Sequence, residues 1–225
     1  MSDYQAGLTA YERGEFGIAL AHWRRAADEG ERDATFRLAQ LHAQGHGVQQ
    51  DFALASELYL AAAELDHMDA EYSLGVLHEH GLGVESDCAE AAYWYTRAAE
   101  RGHSAAMCNL AGLYERGAGV TQDYLKALDL LGRAANAGNV VAIFNLGVMC
   151  ENGVGMPQDE PRAVAFYQAA AERGLAAAQY NLGVLLAEGA GVPRDLAAAK
   201  RWFQKAAASG YPLAVKNLEL LDEAA

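Results

Sequence analysis

A fixed step of 36 residues governs this chain. Ala34, Ala70, Ala106, Ala142, Ala178 and Ala214 stand at that spacing, and so do Leu38, Leu74, Leu110, Leu146, Leu182 and Leu218. The same step carries the pair Gly45/Gly47 to Gly81/Gly83, Gly117/Gly119, Gly153/Gly155 and Gly189/Gly191. Asp51, Asp87, Asp123, Asp159 and Asp195 follow in register, and then Ala62, Ala98, Ala134, Ala170 and Ala206. Self-similarity at a period of about 20 to 50 residues marks an array of small units. Each is unable to bury its apolar face alone and relies on its neighbours to cover it.

Each unit reads as two helices. Ala106, Leu110, Leu113 and Tyr114 fall on one face of a 3.6-residue period. The segment ERGAGV then breaks the helix, because glycine accepts the left-handed conformations of a tight connection. Asp123 is placed to cap a second helix, which runs through Leu125, Leu128, Leu131 and Ala135 and stops at Gly138. Asp87 and Glu90 have capping-box spacing. Small residues such as Gly75, Ala98 and Ala99 allow close backbone approach, while Trp94, Tyr95, Phe166, Tyr167, Trp202 and Phe203 fill the space between layers.

The two ends depart from the pattern. At the N-terminus, GLTAYERGEFGIALAHWRRAADEG fits if five residues are deleted from the glycine loop, which aligns Phe16, Trp23 and Ala27 with Phe52, Tyr59 and Ala63. At the other end a single helix from about Leu213 closes the array, with Lys216, Glu219, Asp222 and Glu223 giving it a wet outer face. The expected fold is an all-α solenoid of six helical hairpins plus a C-terminal capping helix, a single domain over residues 1–225. Its repeats span about 3–33, 34–69, 70–105, 106–141, 142–177 and 178–213, with the cap over 214–225.

Composition narrows the function. The net charge is −13, from 30 acidic and 17 basic residues, with no basic patch, so phosphate backbones and anionic membranes would be repelled. The acidity reads either as a solvated exterior that keeps the chain soluble or as complementarity to a basic partner. No apolar run reaches the roughly 18 residues that a membrane span needs. The opening residues MSDYQAGLTAYERGEF lack the pattern of a secretory signal, and the three cysteines, Cys88, Cys108 and Cys150, lack metal-type spacing. These features fit a cytoplasmic protein.

The segments AQYNLGVLLAEGAGVPRDLAAAKRWFQKAAASG and AEYSLGVLHEHGLGVESDCAEAAYWYTRAAERG closely resemble the Sel-1-like repeat, a relative of the tetratricopeptide repeat with a longer, GxGV-bearing connection. The resemblance covers nearly the whole chain. It implies a right-handed α-α superhelix whose first helices line a concave groove, and adaptor or scaffold roles in binding other proteins. Some members carry a disulfide in each repeat, and some are linked to penicillin binding. The paired cysteines are missing here, as are SxxK, SDN and KTG sets, so that activity does not carry over.

If first helices line the groove, the candidate partner-binding residues are Asn109, Asn145, Asn181 and Asn217, one per repeat. An Asn amide both donates and accepts, so such a ladder suits the backbone of an extended peptide; the same residues could instead bond to a neighbouring repeat. Around them lie Val76, Val148, Val184, Glu79, Glu115, Glu151, His80 and Arg116. Tyr72, Phe144 and Tyr180 stand one residue before the Ser or Asn and could stack on a ligand, although packing between helices is the plainer reading. Asp33 and Asp69 occupy two positions where a clamp for a terminal carboxylate would need basic residues, so the expected partner is an apolar or basic protein or peptide segment. The alternative is an accessory or immunity-type subunit that grips a folded partner through its outer faces or ends.

Catalysis finds little support. His42 and His78 are equivalent positions in adjacent repeats, near His46 and His80, but no HExxH or CxxC accompanies them. The GxGV loops follow helices and precede no GK[ST], so they are not phosphate loops. No base can be assigned to Cys108. The sequence points to a protein that binds, with no cofactor or metal and no enzyme activity.

Overall fold

The structure, a computed structural model, describes residues 1–223, with side chains described as far as Leu221. Among the described residues there are thirteen helices and no strand: α1 (Asp3–Glu12), α2 (Phe16–Asp28), α3 (Arg32–Gln44), α4 (Phe52–Glu64), α5 (Met68–His80), α6 (Cys88–Glu100), α7 (Ser104–Arg116), α8 (Tyr124–Asn136), α9 (Val140–Asn152), α10 (Glu160–Glu172), α11 (Ala176–Glu188), α12 (Leu196–Ala208) and α13 (Pro212–Glu223). They form two compact units, Met1–Gln122 with α1 to α7 and Asp123–Ala225 with α8 to α13. Within each unit consecutive helices pack on one another.

The helix boundaries follow from the repeated residues. Asp51, Asp87, Asp123, Asp159 and Asp195 each accept a hydrogen bond from a backbone N–H in the first turn of the helix that follows. The Asp87–Glu90 pair is used from one side, Asp87 accepting from the Ala89 and Glu90 N–H groups. Each first helix from α3 to α11 ends on a left-handed glycine, Gly45, Gly81, Gly117, Gly153 or Gly189, whose N–H bonds back into the last turn.

The second glycine of each loop does something the sequence reading did not foresee. A Cβ on Gly83 would lie 2.3 Å from the carbonyl carbon of Phe52, and one on Gly119 would lie 2.2 Å from that of Cys88. Gly191 approaches Glu160 in the same way, at 2.4 Å. The loop of one repeat therefore rests on the backbone at the start of the second helix one repeat earlier.

Successive apolar clusters share helices instead of meeting at one centre. In the first unit Trp23, Leu38 and Leu41 form one cluster, and Phe36, Tyr59, Leu74 and Trp94 form the next. In the second unit Ile143, Tyr167 and Leu182 are followed by Phe203 and Ala214. Large rings sit over glycines, since a Cβ at Gly75 or Gly147 would meet the ring of Tyr95 or Tyr167 at 2.5 or 2.7 Å.

Two expectations need correction, and the second helix of the fourth hairpin can now be given its buried face. The helix expected through Leu125, Leu128 and Leu131 is α8, whose buried stripe is Ala127, Leu130, Leu131 and Ala134, while Leu125 is 73 % exposed. Trp94, Tyr95, Tyr167 and Phe203 are buried as expected, but Phe166 and Trp202 are only half-buried. A cation covers each of these two outer rings, Arg162 over Phe166 at 5.6 Å and Lys205 over Trp202 at 4.0 Å. Finally, the last helix exposes Lys216 and Glu219 as anticipated, but also Leu213, Val215 and Leu220. The side chains of Asp222 and Glu223, and residues 224 and 225 of the expected cap, lie outside the described residues.

Candidate functional site

The asparagine positions divide into two kinds. In the first unit Tyr95 Oη donates to Glu79 Oε2 at 2.8 Å, and Asn109 Nδ2 donates to the same hydroxyl at 3.0 Å. The second unit repeats the device, with Tyr167 donating to Glu151 and Asn181 hydrogen-bonded to Tyr167. Tyr59 and Ser73 make the shorter version, without an acid. Each tyrosine is buried, and burial raises its pKa, to about 12 for Tyr59 and further for Tyr95 and Tyr167, where the adjacent carboxylate adds to the effect. These hydroxyls stay protonated; those of Tyr95 and Tyr167 each tie three helices together, and that of Tyr59 ties two. Leu131 and Phe203 stand at the position of Tyr59, Tyr95 and Tyr167, so Asn145 and Asn217 have no such hydroxyl to bond.

The remaining candidates sort in a similar way. Arg116 pairs with Glu79 at 3.1 Å, while Glu115 is exposed and its carbonyl accepts from the Gln122 side chain. Tyr72 stacks on His103 at 4.5 Å and touches Tyr95 at 5.9 Å. Phe144 lies 5.6 Å from Tyr167, and Tyr180 lies 5.7 Å from Phe203 and 5.0 Å from Tyr211. Each ring thus has an internal neighbour while remaining half-buried. Val148 and Val184 are half-buried on α9 and α11, one turn beyond Asn145 and Asn181.

The first-helix faces differ between the two units. In the second unit the positions one turn before the Asn are Val141, Ala177 and Leu213, and those one turn after are Val148, Val184 and Leu220. Val141, Leu213 and Leu220 are 49, 52 and 53 % exposed. In the first unit the corresponding residues include Asp33, Asp69, Arg37 and Gln40, with Arg37 donating to Gln40 at 2.8 Å. The second unit's face is therefore apolar around a line of amides, while the first unit's mixes charged Asp33, Asp69 and Arg37 with Val76, Ala105 and Gly112.

The first unit also holds charged groups that sequence reasoning passed over. Glu71 is fully enclosed, with Oε1 2.9 Å from Arg97 Nη2 and 3.8 Å from Arg101 Nη1. The Arg97 contact is an ion pair without hydrogen-bond geometry, so both carboxylate oxygens lack a hydrogen-bond partner. Burial raises the pKa of Glu71 while the two arginines pull it down. Asp66 has φ +62° where every other repeat carries glycine, and its strain is offset by Arg101, which binds both its carboxylate and its carbonyl. The signal for Glu71 was present in the register, since its equivalents Met107 and Ile143 are apolar and buried.

His67 and His103 form another matched pair. Each accepts the first-turn N–H of the following helix on Nδ1, from Ala70 at 3.2 Å and Ala106 at 3.0 Å. Their Nε2 atoms face Asp33 at 3.5 Å and Asp69 at 3.4 Å, one repeat earlier. Among the described residues no group of three His, Cys, Asp or Glu is placed to hold a metal ion. Burial raises the pKa of the Cys108 thiol to about 11, which makes it a poor nucleophile.

Six matches to the Sel1 repeat family model cover residues 4–31, 32–67, 69–103, 104–139, 140–175 and 176–211. The chain belongs to the Sel1 repeat family. It superimposes on a Sel1 repeat protein from Oxalobacter formigenes with TM-score 0.90 and 30 % identity, over 97 % of this chain and 87 % of that one. It also matches c5321, a protective antigen of uropathogenic Escherichia coli strains, with TM-score 0.88 and 31 % identity over 96 % of this chain. This Sel1 chain spans about half of c5321, 47 % of its length. The immunity protein Pa5087 from Pseudomonas aeruginosa shares the fold at TM-score 0.55 and 24 % identity, over 82 % of this chain and 68 % of that one. No match is found among curated proteins. The fold is thus the helical solenoid of Sel1 repeats, a family of protein-interaction scaffolds. Among the described residues no helix is long and apolar enough to cross a membrane.

Proposed function

We propose that this Sel1 repeat chain is an adaptor or regulator that binds a partner protein or peptide through the faces of its first helices. The observation that carries the reading is the second unit's face, where exposed Val141, Leu213 and Leu220 flank Asn145, Asn181 and Asn217. Apolar side chains left in water beside hydrogen-bonding amides favour a segment that offers apolar side chains and free backbone groups. The first unit's Asp33 and Asp69, 47 and 53 % exposed, favour basic residues in the same partner or in another. Asn145, whose repeat offers no tyrosine hydroxyl, is the amide best suited to a ligand, while Asn109 and Asn181 already serve the fold. The three free cysteines suit a reducing, cytoplasmic setting.

The test compares capture of proteins from source-cell lysate by the wild-type chain and by the double variant Val148→Glu/Val184→Glu, with circular dichroism confirming that both are folded. A protein retained by wild type and lost from the variant is the expected result. Equal capture would overturn the assignment to this face.

A further inference from the structure

A cleft of about 390 Å³ opens in the first unit between α2 and α4, floored by α3. Its walls are Leu54, Leu58, Ala61 and Leu65, with Thr35 and Leu38 beneath and Arg24 and Asp28 at the α2 rim. Three other repeats place an aromatic ring at the Leu58 position, while the α8 repeat keeps a leucine, Leu130, there with Arg133 at the Ala61 position. Trp94 stands at the Leu58 position with Arg97 over its ring at 5.3 Å, and Arg97 is at the Ala61 position. Phe166 with Arg162 and Trp202 with Lys205 repeat the aromatic-plus-cation filling. Over α3 the α4 wall offers only Leu54, Leu58, Ala61 and Leu65, with the His42 ring on the floor beside Leu38, and Ala61 and Leu65 remain exposed.

We propose that this cleft docks an aromatic side chain of a partner protein, presented on a helix that carries Lys or Arg about one turn away. The three internal pairs define the filling that the cleft lacks: a flat ring over leucine side chains, covered by a cation. Charge complementarity fixes where that cation goes. In the α6 repeat, acids neutralise Arg97, with Glu71 Oε1 at 2.9 Å and Asp66 at 3.8 Å. Here Thr35 replaces Glu71, so no charge can be matched at depth, and the exposed carboxylate of Asp28 is the acid within reach. Arg24, one turn earlier on α2, repels a base at its own end, so the docked helix lies with its cation toward Asp28. The cleft shares none of its lining residues with the first-helix faces and stands or falls independently of them.

The probe is a synthetic alanine-based helical peptide bearing Trp followed three residues later by Arg, the spacing of Trp94 and Arg97. It is titrated against the full chain while the methyl resonances of Leu54, Leu58 and Leu65 are followed by NMR. Saturable shifts at those methyls are expected, lost with a Trp→Ala peptide and weakened about fivefold with an Arg→Glu peptide. The protein variant Leu58→Trp/Ala61→Arg, which copies the filled repeat, should not respond. Asp28→Lys, a change at an exposed position, should reverse the preference and favour the Glu peptide. Absence of saturable shifts, equal response to the Trp→Ala peptide, or an unchanged preference in Asp28→Lys would each overturn the proposal.

Discussion

At the scale of single residues, position in the repeat decides what an identical side chain does. Asn109 and Asn145 occupy the same place, yet only the first meets a tyrosine hydroxyl. Asn109→Ala leaves the buried Tyr95 hydroxyl with one partner fewer and should cost about 1–2 kcal/mol in urea unfolding. Asn145→Ala should leave the unfolding midpoint near wild type and weaken partner binding. Glu71 offers a sharper contrast, because its carboxylate is enclosed and Arg97 is its nearest counter-charge. Arg97→Ala strands that charge and should cost about 3–5 kcal/mol, whereas Glu71→Met, the residue of the next repeat, should be neutral or stabilising by about 1 kcal/mol in the same assay. The sequence could reveal the Asn ladder but not its division, because the partner hydroxyl lies 14 residues away on another helix and only packing brings the two together.

At the scale of the helix and its loop, most of the fold was legible. The capping aspartates and terminating glycines act locally, through bonds within a few residues, and local chemistry is what a sequence displays. Which face of α8 is buried was not legible, because its leucines are spread round the helix: Leu130 and Leu131 are buried with Ala127 and Ala134, and Leu125 is exposed. The second loop glycine was read as a breaker although it also meets a helix one repeat back. That difference is measurable. Gly83→Ala adds a Cβ 2.3 Å from backbone at φ +71°, and should cost about 2–4 kcal/mol. Gly102→Ala, at φ +96° with open space around it, should cost about 1 kcal/mol; the two urea midpoints decide the matter.

At the scale of the whole molecule, the two units should answer acid differently. His67 and His103 both cap helices of the first unit, whereas the equivalent residues of the second unit are Asn139, Leu175 and Tyr211. Burial lowers the pKa of each histidine, more than the facing aspartate raises it, so the folded state favours the neutral ring whose Nδ1 accepts the cap bond. The stabilisation is complete above the unfolded value of about 6.5 and is lost as pH falls through it toward the lower folded pKa. Hydrogen exchange, corrected for intrinsic rates, should show protection at α5 and α7 dropping between about pH 7 and 5 while α9 and α11 hold; His67→Asn/His103→Asn should remove the difference. The loop glycines bear on how such an array changes length over time. Gly83, Gly119 and Gly191 rest on main-chain atoms, which every residue possesses, so the joint makes little demand on the identity of the repeat that precedes it. A duplication that inserts one in-register copy would arrive with a joint that already fits, and a deletion would close on an equally good one. The same generality leaves side chains such as Leu58 and Trp94 free to diverge, so each copy can acquire a separate binding chemistry without endangering the stack.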